Sequence, residues 1–194
     1  MSRAPTLFLA VRLPRSAIEA ASPLLTELSH VSPLVRPVRP DGLHLTVQFL
    51  GQVPASSEGQ VREAARLAAG RHSPFTLTLG SIGIFVASNR PQVIWLGAGS
   101  GRGQLAVLAD GLRGQLYRAG LPFDRRLFRP HCTLARIKGE LGAEPSATLL
   151  GMATASETGP VCSISVREVQ LLESVAQSTG PNRYPTRAIF PLTG

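Results

Sequence analysis

The sequence predicts an α+β fold built on antiparallel sheets. Three observations carry this expectation. Strand-like and helix-like segments interleave, but the turns between them are short and several strands read as half-buried. No glycine fingerprint of a dinucleotide fold follows the first strand, which argues against a doubly wound parallel sheet. The 194 residues are 43% hydrophobic and 16% charged, enough apolar material for the core of one domain.

The elements follow in order. Residues 6–13 (TLFLAVRL) form a strand ended by Pro14. Ser16 followed by Glu19 has capping-box spacing, so a helix is expected over 16–28, bent or split at Pro23. Residues 36–40 (RPVRP) are a stiff, extended connection, and 43–50 (LHLTVQFL) are a strand. Residues 57–69 form a helix with Val61, Ala64, Ala65 and Ala68 on one face and Gly70 at its end. Phe75, Leu77 and Leu79 alternate as in a strand, and 93–96 form another after a turn at Asn89-Arg90-Pro91. The run Gly99-Ser100-Gly101-Arg102-Gly103 precedes a helix and could cradle a phosphate, although a flexible strand-to-helix loop is the simpler reading. Residues 105–119 are helical, with Gly120 as the stop, and 132–137 are a strand. Residues 138–159 are rich in Ala, Thr and Gly and carry only a short helix near 146–152. Residues 163–174 are a strand region, and 184–192 a last strand marked by Pro185 and Pro191.

Charge narrows the function. The net charge is +8, and Lys138 is the only lysine among 20 basic residues. A bias in base composition accounts for arginine over lysine but leaves the net charge to be explained. A basic surface suits nucleic acid or a phosphorylated ligand, and the guanidinium fork suits phosphate. Lys138 lies between Ile137 and Gly139, so there is no P-loop and no lysyl-nucleotide motif. Cys132 and Cys162 make neither a disulfide framework nor a four-ligand zinc site. No apolar run reaches the roughly 18–20 residues of a membrane span, and the N-terminus shows no cleavable leader pattern; a cytoplasmic location is expected.

One short pattern occurs twice, as His44-Leu45-Thr46-Val47 and His131-Cys132-Thr133-Leu134. On a strand, residues two apart share a face. Each strand then offers one imidazole and one hydroxyl to the same space, with apolar residues behind. The repetition suggests a duplicated unit whose strands meet across a cleft. Two histidines flanking a phosphodiester can serve as base and acid, because imidazole titrates near neutral pH. Threonine hydroxyls can donate to the non-bridging oxygens. Arg136, five residues after His131, has the wrong parity for that face on a regular strand; it could reach it only past a bulge or at the strand end, and is otherwise a solvated arginine.

These residues resemble the two-histidine phosphoesterase superfamily, and within it the RNA 2′,3′-cyclic phosphodiesterases, also called 2′-5′ RNA ligases. The similarity includes LFLAVRLP at 7–14, HLTVQFLG at 44–51, FRPHCTLAR at 128–136, LLES at 171–174, Gly180, Tyr184 and FPL at 190–192. It implies one two-lobed domain over residues 1–194 with internal pseudo-duplication. Two antiparallel sheets with outer helices would surround a central cleft carrying the two His-x-Thr strands. It implies hydrolysis of RNA 2′,3′-cyclic phosphate ends to 2′-phosphate without a metal or nucleotide cofactor, and 2′-5′ ligation when a 5′-hydroxyl replaces water. By the same resemblance His44 is the general acid and His131 the general base. Thr46, Thr133 and Arg136 hold the phosphate, and Phe49 stacks on the terminal base. Motif symmetry alone leaves the two histidine roles interchangeable.

Other readings remain. A phosphodiesterase for small cyclic or 2′-5′-linked nucleotides would use the same site, and a non-catalytic RNA-binding module would keep the fold. The histidines lack metal-ligand spacing. His30 and His72 lie near helix ends, and Asp41 reads as a turn residue. Cys132 should point into the core, as should Trp95, although Trp95 and Phe85 could stack on bases. Arg39, Arg90, Arg125, Arg126 and Arg129 are candidates for an RNA backbone path. A monomer is expected because the cleft would form within one chain.

Overall fold

The first strand fixes the architecture. In a computed structural model describing residues 4–87, 90–155 and 159–194, β1 (Thr6–Arg12) is buried along both faces. Leu7, Leu9 and Val11 enter the main core, whereas Phe8 and Ala10 join Leu172 and Tyr184 in a second cluster. Strand alternation puts these two sets on opposite faces. β1 is therefore interior, with β3 (His44–Gln52) on one side and β8 (Glu168–Glu173) on the other.

The remaining strands are β2 (Val35–Pro37), β4 (Phe75–Ala87), β5 (Arg90–Ala98), β6 (His131–Ile137), β7 (Pro160–Val166) and β9 (Thr186–Pro191). Among the described residues they form one nine-stranded antiparallel sheet, ordered β7-β4-β5-β6-β3-β1-β8-β9, with β2 also on β6. The two separate sheets expected from the sequence are thus a single sheet. The junction is narrow: β3 meets β6 at one register pair, Leu45 with Cys132. Beyond it β3 leaves that edge of β6, and β2 takes it over at Ala135, Arg136 and Ile137. Joining the two edges satisfies backbone groups that separate sheets would leave open.

Helices α1 (Arg15–Val31), α2 (Ala55–Ala69), α3 (Arg102–Arg118) and α4 (Ala143–Ala155) all contribute to the main core. α1 packs on β2, β6 and β7, and α4 on β4. α2 and α3 pack on each other, α2 also reaching β8 and β9 and α3 reaching β3. Among the described residues no helix is long and apolar enough to cross a membrane.

Several local expectations change. The Ser16–Glu19 capping box does not form: Pro14 is the N-cap, and Glu19 instead pairs with Arg15 at 2.8 Å. α1 runs through Pro23 to Val31, since Ala17, Ala21, Leu25 and Leu28 bury a stripe on both sides of it. The residue 163–174 region is two strands, broken at Arg167, that pair with β4 and β1 respectively. α4 is nearly twice the expected length, but only Leu149 is fully buried in it, so its apolar signal is weak. Asn89 of the expected turn, and residues 156–158 near the end of the 138–159 stretch, lie outside the described residues.

The glycine-rich loop is a packing device. Thr78 Oγ1 accepts from Ser100 N at 2.8 Å, and Gly99 N donates to Thr78 O at 2.9 Å. Gly101 has φ +82°, and a Cβ there would overlap Thr76 O. Gly101→Ala should therefore destabilise the protein by about 1–3 kcal/mol. In urea melts the midpoint should fall with the slope unchanged; an unshifted midpoint would count against this role.

Candidate active site

β3 and β6 share one burial pattern over their first seven residues. His44 and His131 are half-buried, as are Thr46 and Thr133, while Leu45, Val47, Cys132 and Leu134 face the core. Both strands then bulge at the same place. Thr46 pairs with Ala10 and Gln48 with Leu9, leaving Val47 as the extra residue. Thr133 pairs with Trp95 and Ala135 with Ile94, leaving Leu134 extra. An extra residue reverses the alternation. Phe49 and Arg136 thereby return to the face that carries the histidines and threonines, which resolves the parity of Arg136. Gln48 turns inward and donates to Asp124 O at 2.8 Å, tying the segment before the second motif to β3.

The two imidazoles are held alike. His44 Nδ1 lies 2.7 Å from Gly42 O, and His131 Nδ1 lies 2.6 Å from Arg129 O. A carbonyl only accepts, so Nδ1 carries the hydrogen in both rings and Nε2 is the atom left to exchange a proton. Neutral, Nε2 accepts a proton; protonated, it donates one. Aromatic neighbours fix the rings. Phe8 and Tyr184 lie 5.0 and 4.9 Å from His44, and Phe85 and Trp95 lie 4.8 and 6.3 Å from His131, between ring centroids. Trp95 needs the bare backbone of Gly83, where a Cβ would overlap its indole. The expected core position for Trp95 is therefore corrected: it flanks His131 on the site face, because it pairs with Thr133 rather than with a helix-facing residue.

Burial dominates the electrostatics. It pulls His44 down to about 4, assisted by the positive charges of Arg12 and Arg136 and by His131. The Gly42 carbonyl opposes this. His131 is also lowered, by burial first and then by Arg136, with the Arg129 carbonyl opposing. The Arg136 charge thus acts on both rings.

Arg12 lies within the LFLAVRLP segment, but the sequence gives it no role at the site. It stands opposite His44 in the β1–β3 register. Its guanidinium donates to Asp41 O at 2.9 Å and to Tyr184 O, joining three segments around that histidine. Desolvation lowers its own pKa, partly offset by Asp41. Phe8 and Tyr184 were equally invisible as site neighbours, since only the register brings them to His44.

The other candidates fall elsewhere. Cys132 is fully buried among core residues, its thiol pushed up to about 12. His30 lies in the last turn of α1, and His72 just after α2 against Gly111. Asp41 sits in a 3₁₀ turn, Pro40–Gly42, and pairs with Arg39. Arg90 is held by Glu140 and Arg126 by Asp124, Arg129 lies over Phe85, and Arg125 is exposed. Among the described residues no group of three or more His, Cys, Asp or Glu side chains could hold a metal ion. A cavity of about 580 Å³ is lined by Arg71 to Phe75 and Gly103, Gln104 and Val107, and by neither His44 nor His131.

The sequence model of the 2′-5′ RNA ligase superfamily matches residues 14–177. The chain belongs to the 2′-5′ RNA ligase superfamily. It is 39% identical over 143 residues to an RNA 2′,3′-cyclic phosphodiesterase of Escherichia coli, covering 72% of this chain and 76% of that protein. It is 31% identical over 158 residues to one of Aeropyrum pernix, covering 81% and 87%. Among solved structures, Escherichia coli LigT complexed with 3′-AMP superposes with TM-score 0.73 at 31% identity, over 98% and 99% of the two chains. A Thermus thermophilus protein does so with TM-score 0.78 at 27% identity, over 97% and 98%.

For this superfamily member the lowered pKa values have a direct readout. A group lowered to about 4 loses its proton as pH rises through that value, so His44 should be neutral at pH 6. In an NMR titration of the ligand-free protein His44 should titrate below His131, and His131 below the ordinary 6.5. Arg136→Gln should raise both midpoints, as a nearby positive charge is removed. Midpoints at or above 6.5 would contradict the assignment.

Proposed function

We propose that this chain hydrolyses 2′,3′-cyclic phosphates at RNA 3′ ends to 2′-phosphates. One observation carries the reading: two His-x-Thr strands with matched bulges adjoin at Leu45 and Cys132, and the Arg136 charge acts on both imidazoles. The names of the curated relatives agree with it. The single two-lobed unit over residues 1–194, with its internal duplication and cleft, is part of the same proposal; the matched burial of β3 and β6 supports it.

The chemistry is a proton relay. Neutral His131 Nε2 takes a proton from water, whose oxygen attacks phosphorus. The bond from phosphorus to the 3′-oxygen breaks, and His44 Nε2 gives its proton to that oxygen. His131 ends protonated, His44 neutral, and the 2′-phosphate remains. With a 5′-hydroxyl in place of water the same displacement forms a 2′-5′ bond. Thr46 and Thr133 donate to the non-bridging oxygens, Arg136 adds its fork, and exposed Phe49 stacks on the terminal base. Burial disfavours a proton on His44 in the ligand-free chain. The phosphodiester anion supplies the compensating charge and raises both histidines on binding.

The direct test is a short RNA ending in a 2′,3′-cyclic phosphate, incubated in chelator with wild type and with the His44→Ala, His131→Ala double variant. Wild type should release only the 2′-phosphate. The double variant should lose at least about 10³-fold, since each acid–base group typically contributes 10²–10⁴. With an activated leaving group, His44→Ala should recover most of its rate while His131→Ala stays impaired; the reverse pattern would exchange the roles. RNA binding without turnover would instead indicate a binding module or a small-nucleotide substrate.

The pH profile offers a separate check. kcat/KM reports the free protein and kcat the bound complex. Both free histidines are lowered, so the kcat/KM bell should lie on the acid side of 6.5. The bound anion raises them, so the alkaline limb of kcat should fall at higher pH than that of kcat/KM. Coincident limbs would contradict the role given to the substrate charge.

A further inference from the structure

β2 is only three residues long, yet it places a second guanidinium beside the site. Arg36 stands directly opposite Arg136 in the β2–β6 register, and both are exposed. Residues in that relation share a face with Cβ atoms roughly 4.5–5.5 Å apart, and like charges there are destabilising. Val35 is buried in the core, so Arg36 points away from the helices, towards the face that Arg136 regains after the bulge. Arg39, Arg90 and Arg126 are each held by a carboxylate. Among the described residues neither Arg36 nor Arg136 has an ion-pair partner.

The pair is also held firmly. Val38 N donates to Leu134 O at 2.8 Å, and Lys138 N donates to Leu34 O at 2.9 Å, one bond on each side of the two arginines. Pro37 follows Arg36 directly and holds its backbone extended. The fold therefore spends stability to keep two positive charges adjacent, a cost an anion between or beside them would offset.

We propose that Arg36 forms a second phosphate subsite next to the reacting one. It would bind the phosphodiester linking the terminal nucleotide to its 5′ neighbour, so that the chain selects oligonucleotide ends over mononucleotides. This rests on the reaction proposed above. A cyclic phosphate ends its strand, so the next phosphate along the RNA can only be the 5′ one. The guanidinium fork matches its two non-bridging oxygens. The subsite has no counterpart at the first motif, where Phe49 occupies the position equivalent to Arg136.

The test compares kcat/KM for a 2′,3′-cyclic mononucleotide lacking a 5′-phosphate with that for a trinucleotide ending in the same group. Wild type should prefer the trinucleotide. Arg36→Gln should reduce that preference about tenfold, with Arg36→Lys between the two, whereas Arg136→Gln should lower both substrates together. The salt slope of trinucleotide binding should fall by about 0.7 in Arg36→Gln, the loss of one single-strand phosphate contact. Its thermal midpoint should not fall, since a like-charge pair has been relieved. Equal losses on both substrates, an undiminished preference, or a lowered midpoint would overturn the subsite while leaving the reaction standing. Wild type that hydrolyses neither substrate would overturn the reaction itself and the subsite with it.

Discussion

The contact between β3 and β6 is a single rung, Leu45 with Cys132, and the site depends on it. The residue before each member of that rung is a histidine. Antiparallel neighbours at one rung bring their flanking residues close, so one backbone pairing suffices to associate the two imidazoles. A longer ladder would fill the space beside them with backbone. A shorter one would leave two sheets free to shift. The strands separate immediately afterwards, and β2 takes the vacated edge of β6.

The two bulges do the second part of the work. Val47 and Leu134 each add a residue that reverses the strand's alternation. The core side receives Gln48 and Ala135, and the open side receives Phe49 and Arg136. A flat aromatic and a planar cation thus occupy matching positions on the two strands. Burial then sets the starting point, since it disfavours a proton on both imidazoles.

Much of this was legible in the residues, and what was missed has physical causes. The alternation of His44-Leu45-Thr46-Val47 and His131-Cys132-Thr133-Leu134 predicted which side chains share a face. Cys132 in the core followed from the same parity. The bulges were not visible, because nothing in Val47 or Leu134 distinguishes an extra residue from a regular one; only the puzzle of Arg136 pointed to one. Arg12, Phe8 and Tyr184 reach His44 through strand register, which joins residues far apart in sequence. Trp95 was misplaced because Val93 to Leu96 are apolar at every position, so the sequence does not show which set faces the core; the strand buries Ile94 and Leu96 instead. Arg36 was hidden in a proline-rich stretch that reads as a connection. The single sheet was missed because one rung leaves no pattern in composition.

The break at Arg167 sends β7 to one end of the sheet and β8 next to the other end, between β1 and β9. Leu9 and its partner Leu171 are 162 residues apart, so β1 is made long before the strand that pairs with it. Until the C-terminal segment leaves the ribosome, Phe8 and Ala10 have neither Leu172 nor Tyr184 to cover them. One edge of the first strand also stays unpaired throughout that time, open to wrong partners. Pairing across that separation is non-local, and non-local pairing slows folding. Tyr184, which encloses the first histidine, is therefore made long after it.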